Sequence, residues 1–333
     1  MFDKLKVEIV GESHSPEISG KVSGIPKGYE IDLEELKAFL KRRASSEFFT
    51  TPRHDSDDFA VSGLEDGKTA NEAIEFVIKN ENVRSKDYDK IKVVPRPSHA
   101  DYPCYVKYGY IPSGGGKYSG RMTAPLTLIG GVAKQILTAN GIDVKARLCE
   151  IGGIKLENGA LNDEAAEKLK LAQSNGDSLG GKIECEIDGL PIGLGDALFE
   201  GLEGKIAANV FAIPAVKGIE FGLGFKISSL FGSEANDGLE IVNGKVRLKS
   251  NNAGGINGGM TNGNAVTFKI AMRPTPTISK EQDSVNLLTM QNEKIKGTGR
   301  HDVCFVPRAV VVVEAVAALS ILDEILKENL WKN

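Results

Sequence analysis

Residues 4–10 (KLKVEIV) and 18–23 (ISGKVS) set apolar side chains at alternate positions, the period of a strand with one buried face. The same alternation, bounded by Gly, Pro, Asn and Asp, predicts further strands at 58–63, 91–94, 144–150, 182–188, 217–222, 239–248 and 264–272. A three-to-four-residue period predicts helices at 32–43, 69–80, 121–139, 163–173, 197–210 and 308–329. The helices at 121–139 and 308–329 are apolar on most faces, which predicts burial on all sides.

The order of these elements repeats. Residues 20–43 and 182–210 each read as a strand, then Gly-Ile/Leu-Pro-x-Gly, then a helical pattern. In such a turn Pro pre-sets φ and Gly supplies the left-handed position. Arg121 and Arg308 open the two apolar helices, each behind a polar, glycine-containing stretch. Two like halves, about 1–150 and 180–333, would bury central helices between sheets; chance similarity in glycine-rich sequence is the alternative. No Pro/Ser-rich linker separates the halves, so a single domain over 1–333 is expected.

Composition adds an ordinary globular background, 41% hydrophobic and 26% charged, with a net charge of −4 that argues against broad nucleic-acid binding. The charge is uneven. Between Arg84 and Arg121 stand eight Lys or Arg against three Asp, which suits a small anionic ligand or a solvated basic surface. Cys104, Cys149, Cys185 and Cys304 are scattered without a CxxC, so reduced thiols and no zinc site are expected. The N-terminus has no apolar signal core, and acids interrupt the C-terminal apolar stretch. A cytoplasmic location without membrane contact is expected.

All four histidines have polar, charged or Gly/Pro-rich neighbours: GESH14S, TPRH54DSD, RPSH99ADY and GTGRH301D. Taken alone, His14 reads as an ordinary loop residue. Four such contexts together point to at least one histidine with a functional task. None has metal-ligand spacing, so no protein-bound metal is expected. Arg53, Arg96 and Arg300 accompany three of the histidines, and guanidinium forks match carboxylate and phosphate oxygens. The loops 112–120 (PSGGGKYSG), 251–263 (NNAGGINGGMTNG) and 296–299 (KGTG) could bring backbone N–H groups close to an anion, or serve as flexible linkers. None is a P-loop or a dinucleotide fingerprint.

Eight blocks occur in order: GESHSPEISGKVSGIPKG, RSKDY (84–88), RPSHADYPCYVKYG (96–109), PSGGGKYSGR (112–121), IPAVKGIEFGLGF (213–225), NNAGGINGGMTNG, RPTPTI (273–278) and GRHDVCFVPRAV (299–310). Together they resemble the chorismate synthase family, from residue 7 to about 325. The resemblance implies an α+β fold, a β-α-β sandwich with central helices between two antiparallel sheets and an internal pseudo-two-fold repeat, assembled as a homotetramer. It implies 1,4-anti elimination of phosphate from 5-enolpyruvylshikimate 3-phosphate, dependent on reduced FMN. The C–H bond that breaks has no adjacent carbonyl. The resemblance implies that the reduced flavin lends an electron as the C–O bond breaks, while the protein positions the reactants and manages charge. No NAD(P)H-dependent flavin reductase module is recognisable, so NADP-linked reduction of FMN is expected from an external flavin reductase.

The resemblance also implies roles. His99 matches the histidine that protonates the reduced flavin, and His14 the one that serves the leaving phosphate. Ser13 and Asp302 match a proton-relay pair. Arg42, Arg53, Arg96 and Arg121 match substrate-binding arginines. Lys117, Tyr118, Ser119, Ala215, Gly258, Arg273, Pro274, Thr275, Pro276, Thr277 and Arg300 match flavin-contact positions. This sequence departs from the family pattern at Ala44, Phe48 and His54 near the substrate, and at Lys117, Tyr118 and Met122 in the flavin loop. An active divergent enzyme, a flavin-binding paralogue with another anionic substrate or no catalysis, and a non-catalytic phosphometabolite binder are the readings left open.

Overall fold

The two helices that are apolar on most faces find their burial between two antiparallel sheets. The computed structural model describes residues 2–44, 58–80, 93–297 and 302–330. Among these, the helices are α1 (Leu33–Lys41), α2 (Asp101–Tyr108), α3 (Thr123–Ala139), α4 (Asp163–Ser174), α5 (Leu202–Val210), α6 (Gly232–Ala235) and α7 (Val306–Glu328). The first sheet runs, strand beside strand, Lys6–Gly11, Glu17–Ser23, Ile74–Lys79, Phe59–Ser62. The second runs Ile154–Lys155, Asp143–Ile151, Gly181–Asp188, Val266–Met272, Val216–Phe221.

Apart from the short edge strand Ile154–Lys155, both sheets have the same connectivity. Each places its strands in the chain order first, second, fourth, third. The strand Asp143–Ile151 opens the second set, so the change-over falls near Asn140, ahead of the boundary at 150 expected from the sequence. Helix α3 packs on the first sheet and α7 on the second, and the two helices pack on each other. Glycines permit this layering. A Cβ on Gly20 would lie 2.7 Å from Pro125 Cβ, and one on Gly130 would lie 2.4 Å from Ala315 Cβ.

The two Gly-x-Pro-x-Gly turns match bond for bond. A Cβ on Gly24 (φ 88°) would lie 2.3 Å from the Lys4 carbonyl oxygen, and one on Gly189 (φ 82°) 2.2 Å from that of Gly141. The Thr69 hydroxyl donates to the Pro26 carbonyl and accepts from the Tyr29 N–H; the Thr261 hydroxyl does the same with Pro191 and Leu194. The backbones of Gly28 and Gly193 donate to the carbonyls of Thr69 and Thr261.

Seventeen of the 23 residues of α7 are buried, with three acids among them. Each acid is paired. Glu314 bonds to Lys134 of α3 and accepts from Arg42 Nη2 at 2.6 Å. Asp323 accepts from the backbone N–H groups of Asp3, Lys4 and Leu5 at 2.7–2.8 Å, tying the start of the chain to α7. Glu324 accepts from Lys205 Nζ at 2.7 Å. Unpaired, these charges would carry a desolvation cost of several kcal/mol each.

Some local expectations change. The helix expected at 69–80 is the strand Ile74–Lys79, because Ile74, Phe76 and Ile78 alternate into the core at 0–1% exposure and satisfy a two-residue period. The strand expected at 239–248 is a hairpin, Leu239–Val242 with Lys245–Leu248, turned by Asn243 and Gly244 at φ 51° and 74°. Of the strand expected at 91–94, residues 91–92 lie outside the described residues and 93–94 form a turn. In the 197–210 segment, α5 begins only at Leu202, after a 3-10 turn at Leu198–Glu200.

Candidate active site

Three consecutive glycines, Gly114, Gly115 and Gly116, have φ of 61°, 86° and 52°, a path closed to most side chains. This loop leads into α3 and passes between two histidines. A Cβ on Gly114 would meet His14 Cε1 at 2.6 Å, and one on Gly115 would meet His99 Cε1 at 3.4 Å and Nε2 at 3.5 Å. His14 Nδ1 lies 3.2 Å from Ser113 Oγ, and the Ser13 N–H donates to the Gly116 carbonyl at 3.2 Å. His14 and Ser13 follow the first strand, while His99 precedes α2, so chain ends of separate elements converge on one glycine loop.

His99 is held from below. Its Nδ1 lies 2.6 Å from Asp101 Oδ1 and 3.1 Å from Arg96 Nη2. Asp101 is fully buried and takes the Arg96 fork, Nε to Oδ2 at 2.7 Å and Nη2 to Oδ1 at 2.8 Å, plus the Arg96 backbone N–H at 3.0 Å. Burial opposes ionisation of Asp101, but the bonds to Arg96 and His99 outweigh it and hold the carboxyl far below the usual range. Arg96 Nη1 also donates to Thr277 Oγ1 at 3.2 Å, and Arg273 bonds to the Ser98 carbonyl. The segment Arg273–Thr277 therefore runs beside His99. Ala215 joins it, accepting from the Arg273 N–H at 3.0 Å, and has a left-handed φ of 75°, strained for a residue with a Cβ.

On the other side of the loop, Arg121 is 9% exposed and its Nε donates to Asn80 Oδ1 at 3.0 Å. Asn80 in turn donates to the Ser15 carbonyl, linking the arginine to the His14 loop. Ser119 Oγ accepts from the Arg121 N–H. Lys117 Nζ lies 4.9 Å from the ring centre of Tyr108 and 5.5 Å from that of Tyr118, an exposed cation–π cluster at the loop's edge. Asp302 accepts from Arg308 Nη1 at 3.2 Å. Arg308 donates to the Arg43 carbonyl, and Arg43 Nη2 to the Gly120 carbonyl, so Asp302 connects to the same loop through two arginines.

Two of the arginines expected to bind substrate also hold buried carboxylates of the protein. Arg96 is 7% exposed and its fork is taken by Asp101 and Thr277. Arg42 turns to Glu314 and lies over the Phe39 ring at 5.3 Å. A buried carboxylate competes for a guanidinium as well as a ligand does, and residue counting along the sequence does not distinguish the two. Gly258 lies at the tip of the hairpin Ile256–Asn257 with Met260–Thr261. Arg53, His54, Arg300 and Phe48 lie outside the described residues. Asp101 and Asn80 were not among the expected site residues. The His-x-Asp spacing of His99 and Asp101 was the available signal for one, and nothing local marks the other.

A chorismate synthase family model matches residues 5–326. The chain belongs to the chorismate synthase family. It is 40% identical to the chorismate synthase of Lancefieldella parvula, covering 96% of this chain and 94% of that one. It is 41% identical to that of Chitinophaga pinensis (97% and 95%) and 40% identical to that of Thermococcus kodakarensis (98% of each). A crystal structure of chorismate synthase matches the fold with a TM-score of 0.74 at 25% identity, covering 98% of this chain and 93% of that one. Chorismate synthase is a lyase, and the sandwich of two helices between antiparallel sheets is its fold here. The reaction eliminates phosphate from 5-enolpyruvylshikimate 3-phosphate, a small anion, and the cationic stretch around Arg96 and Arg121 suits it.

Proposed function

We propose that the elimination takes place over the triglycine loop, with His14 and His99 as its two proton-handling groups and reduced FMN as cofactor. The observation that carries this reading is that both imidazoles border the triglycine loop, His14 at Gly114 and His99 at Gly115.

The residues present fit a flavin. Within the segment Arg273–Thr277, Thr275 Oγ1 is buried without a hydrogen-bond partner, a polar atom that a bound flavin would satisfy. Lys117, Tyr118, Ser119, Ala215, Arg273, Pro274, Thr275, Pro276 and Thr277 would hold the ring and its side chain from the loop and the 273–277 segment, with Gly258 and Arg300 as further contacts. When bound, reduced FMN supplies electron density to the breaking C–O bond. His14 acts as general acid for the departing phosphate, and Arg121, fixed by Asn80, neutralises charge on the substrate. His99 takes up and returns a proton at Nε2, the nitrogen toward Gly115. Ser13 and Asp302 complete a proton path, and Arg53 adds a substrate contact. Arg42 and Arg96 are the further substrate-binding arginines of this reading, each also holding a buried carboxylate, Glu314 and Asp101.

Assembly as a homotetramer fits the exposed apolar side chains Phe225, Phe231, Leu239, Ile241 and Val246, which cluster in one excursion of the second half. In this reading the enzyme works in the cytoplasm, supplied with reduced FMN by a separate reductase; among the described residues no helix is long and apolar enough to cross a membrane. Titration of 5-enolpyruvylshikimate 3-phosphate with and without FMN tests the shared site. The reading expects each to tighten the other's binding; indifference between them would favour a phosphometabolite binder.

A further inference from the structure

We infer that Asp101 is the positioning residue that sets the tautomer of His99, through a bonding pattern in which Arg96 fixes the carboxylate and the carboxylate fixes the ring. The inference rests on the proposed role of His99 and adds to it the device that makes Nε2 the working nitrogen.

The argument begins at His99 Nδ1, which faces both Asp101 Oδ1 at 2.6 Å and Arg96 Nη2 at 3.1 Å. Arg96 can only donate, and an ionised carboxylate can only accept. An unprotonated Nδ1 would set its lone pair against the carboxylate oxygen at 2.6 Å. A protonated Nδ1 donates to that oxygen and makes the shortest contact in the cluster a hydrogen bond. Nδ1–H is therefore the neutral tautomer, and Nε2, on the loop side, carries the lone pair that takes up and releases a proton.

Arg96 makes this arrangement rigid. Oδ2 of Asp101 accepts two protein donors, the Arg96 backbone N–H at 3.0 Å and Nε at 2.7 Å. Oδ1 accepts Nη2 at 2.8 Å and the His99 ring. Thr277 takes Nη1, so the fork cannot swing without breaking a bond to the 273–277 segment. Among the described residues, the charged groups bonded to His99 are Asp101 and Arg96, with Arg273 one carbonyl away at Ser98.

Asp101→Asn has a specific consequence in this frame. The amide oxygen is held at the Oδ2 position by the Arg96 backbone N–H and Nε, so the amide NH₂ takes the Oδ1 position, loses the bond from Arg96 Nη2 and donates to His99 Nδ1. The ring is driven to Nε2–H, the wrong tautomer, while Arg96 keeps its Nε arm on the amide oxygen and gives up its Nη2 arm. A His–Asp pair in a known serine protease shows this sensitivity, with a loss of about 10⁴ in kcat on the equivalent change.

The test has two arms. In the unmodified protein, ¹⁵N shifts of the histidine rings at a pH where they are neutral should show His99 protonated at Nδ1 and bare at Nε2; Nε2–H would overturn the inference without any mutation. In turnover assays with reduced FMN, Asp101→Asn should lower kcat about 10²–10⁴-fold with KM little changed, His99→Gln should lower it comparably, and Asp101→Asn added to His99→Gln should cost little more. An undiminished Asp101→Asn enzyme, or a second full loss in the double variant, would refute action through His99. Full activity of His99→Gln alone would instead remove the proposed role of His99. Should Asp101→Asn fail to fold, the ring shifts of the unmodified protein decide.

Discussion

His14 and Gly114 are in such close contact that one methyl group would separate them: a Cβ at 114 would lie 2.6 Å from Cε1 and 2.7 Å from Nε2 of the imidazole. The contact makes the loop and the histidine a single rigid unit. Gly114→Ala combines that collision with a left-handed φ of 61°, for which a strain of about 1–2 kcal/mol is expected. Turnover should fall at least about 10²-fold, the usual contribution of one general acid–base group, while the thermal midpoint drops by only a few degrees. Gly115→Ala, whose Cβ meets His99 at an ordinary 3.4 Å, should be milder for His99 and lose mainly through its φ of 86°. Steady-state kinetics beside thermal melts check both.

The matched turns predict matched stability effects. Thr69 and Thr261 are each 2% exposed, and each hydroxyl satisfies one carbonyl and one N–H. Thr→Val at either site keeps the volume and strands two backbone groups, at about 1–3 kcal/mol apiece. The two substitutions should destabilise alike and, sharing no partner, add when combined. Denaturant unfolding of the single and double variants measures this.

Much of this architecture was legible from residue order. The repeated Gly-x-Pro-x-Gly turn and the two apolar helices pointed to a doubled sandwich because turn chemistry and burial on all faces are local signals. Ile74–Lys79 was misread because a short apolar run, AIEFVIK, has too few residues to separate a two-residue from a 3.6-residue period. In the site, the histidines stood out by their polar neighbours, and the block pattern, rather than any single residue, attached roles to them. The carboxylates that hold Arg42 and Arg96 were hidden because Glu314 is 272 residues from Arg42, while Asp101 opens a helix, Asp101–Tyr108, that the sequence pattern did not predict. Asn80 was invisible for the same reason: its task exists only once Ser15 and Arg121 are beside it.

Asp101 also predicts an acid response. Its carboxyl titrates far below the ordinary value in the folded chain, despite burial, because Arg96 and His99 bind its charged form. The unfolded chain therefore takes up the proton first, near the usual Asp pKa of about 3.9. The stabilisation is present above that pH and is lost as pH falls below it toward the folded value. Thermal midpoints of the unmodified protein should fall steeply below about pH 4, and Asp101→Asn, already less stable at pH 7, should fall less steeply. Parallel profiles for the two proteins would argue against the charge-assisted bonds.

Cys304 gives a chemical check on the packing around α7. Burial pushes its thiol up to about 11, and it is 1% exposed. At pH 8 the native protein should leave Cys304 unmodified by a thiol reagent on a timescale in which the urea-unfolded chain reacts fully. Mass spectrometry of the labelled peptides reads the outcome.

The most direct test of two histidines working over one glycine loop is anaerobic turnover of 5-enolpyruvylshikimate 3-phosphate with chemically reduced FMN, followed by chorismate absorbance in the unmodified protein, His14→Ala and His99→Ala. The account predicts steady chorismate formation in the first and a loss of at least about 10²-fold in each variant, with both variants folded and still binding the substrate. Full turnover in either variant, or no chorismate from the unmodified protein, would contradict it.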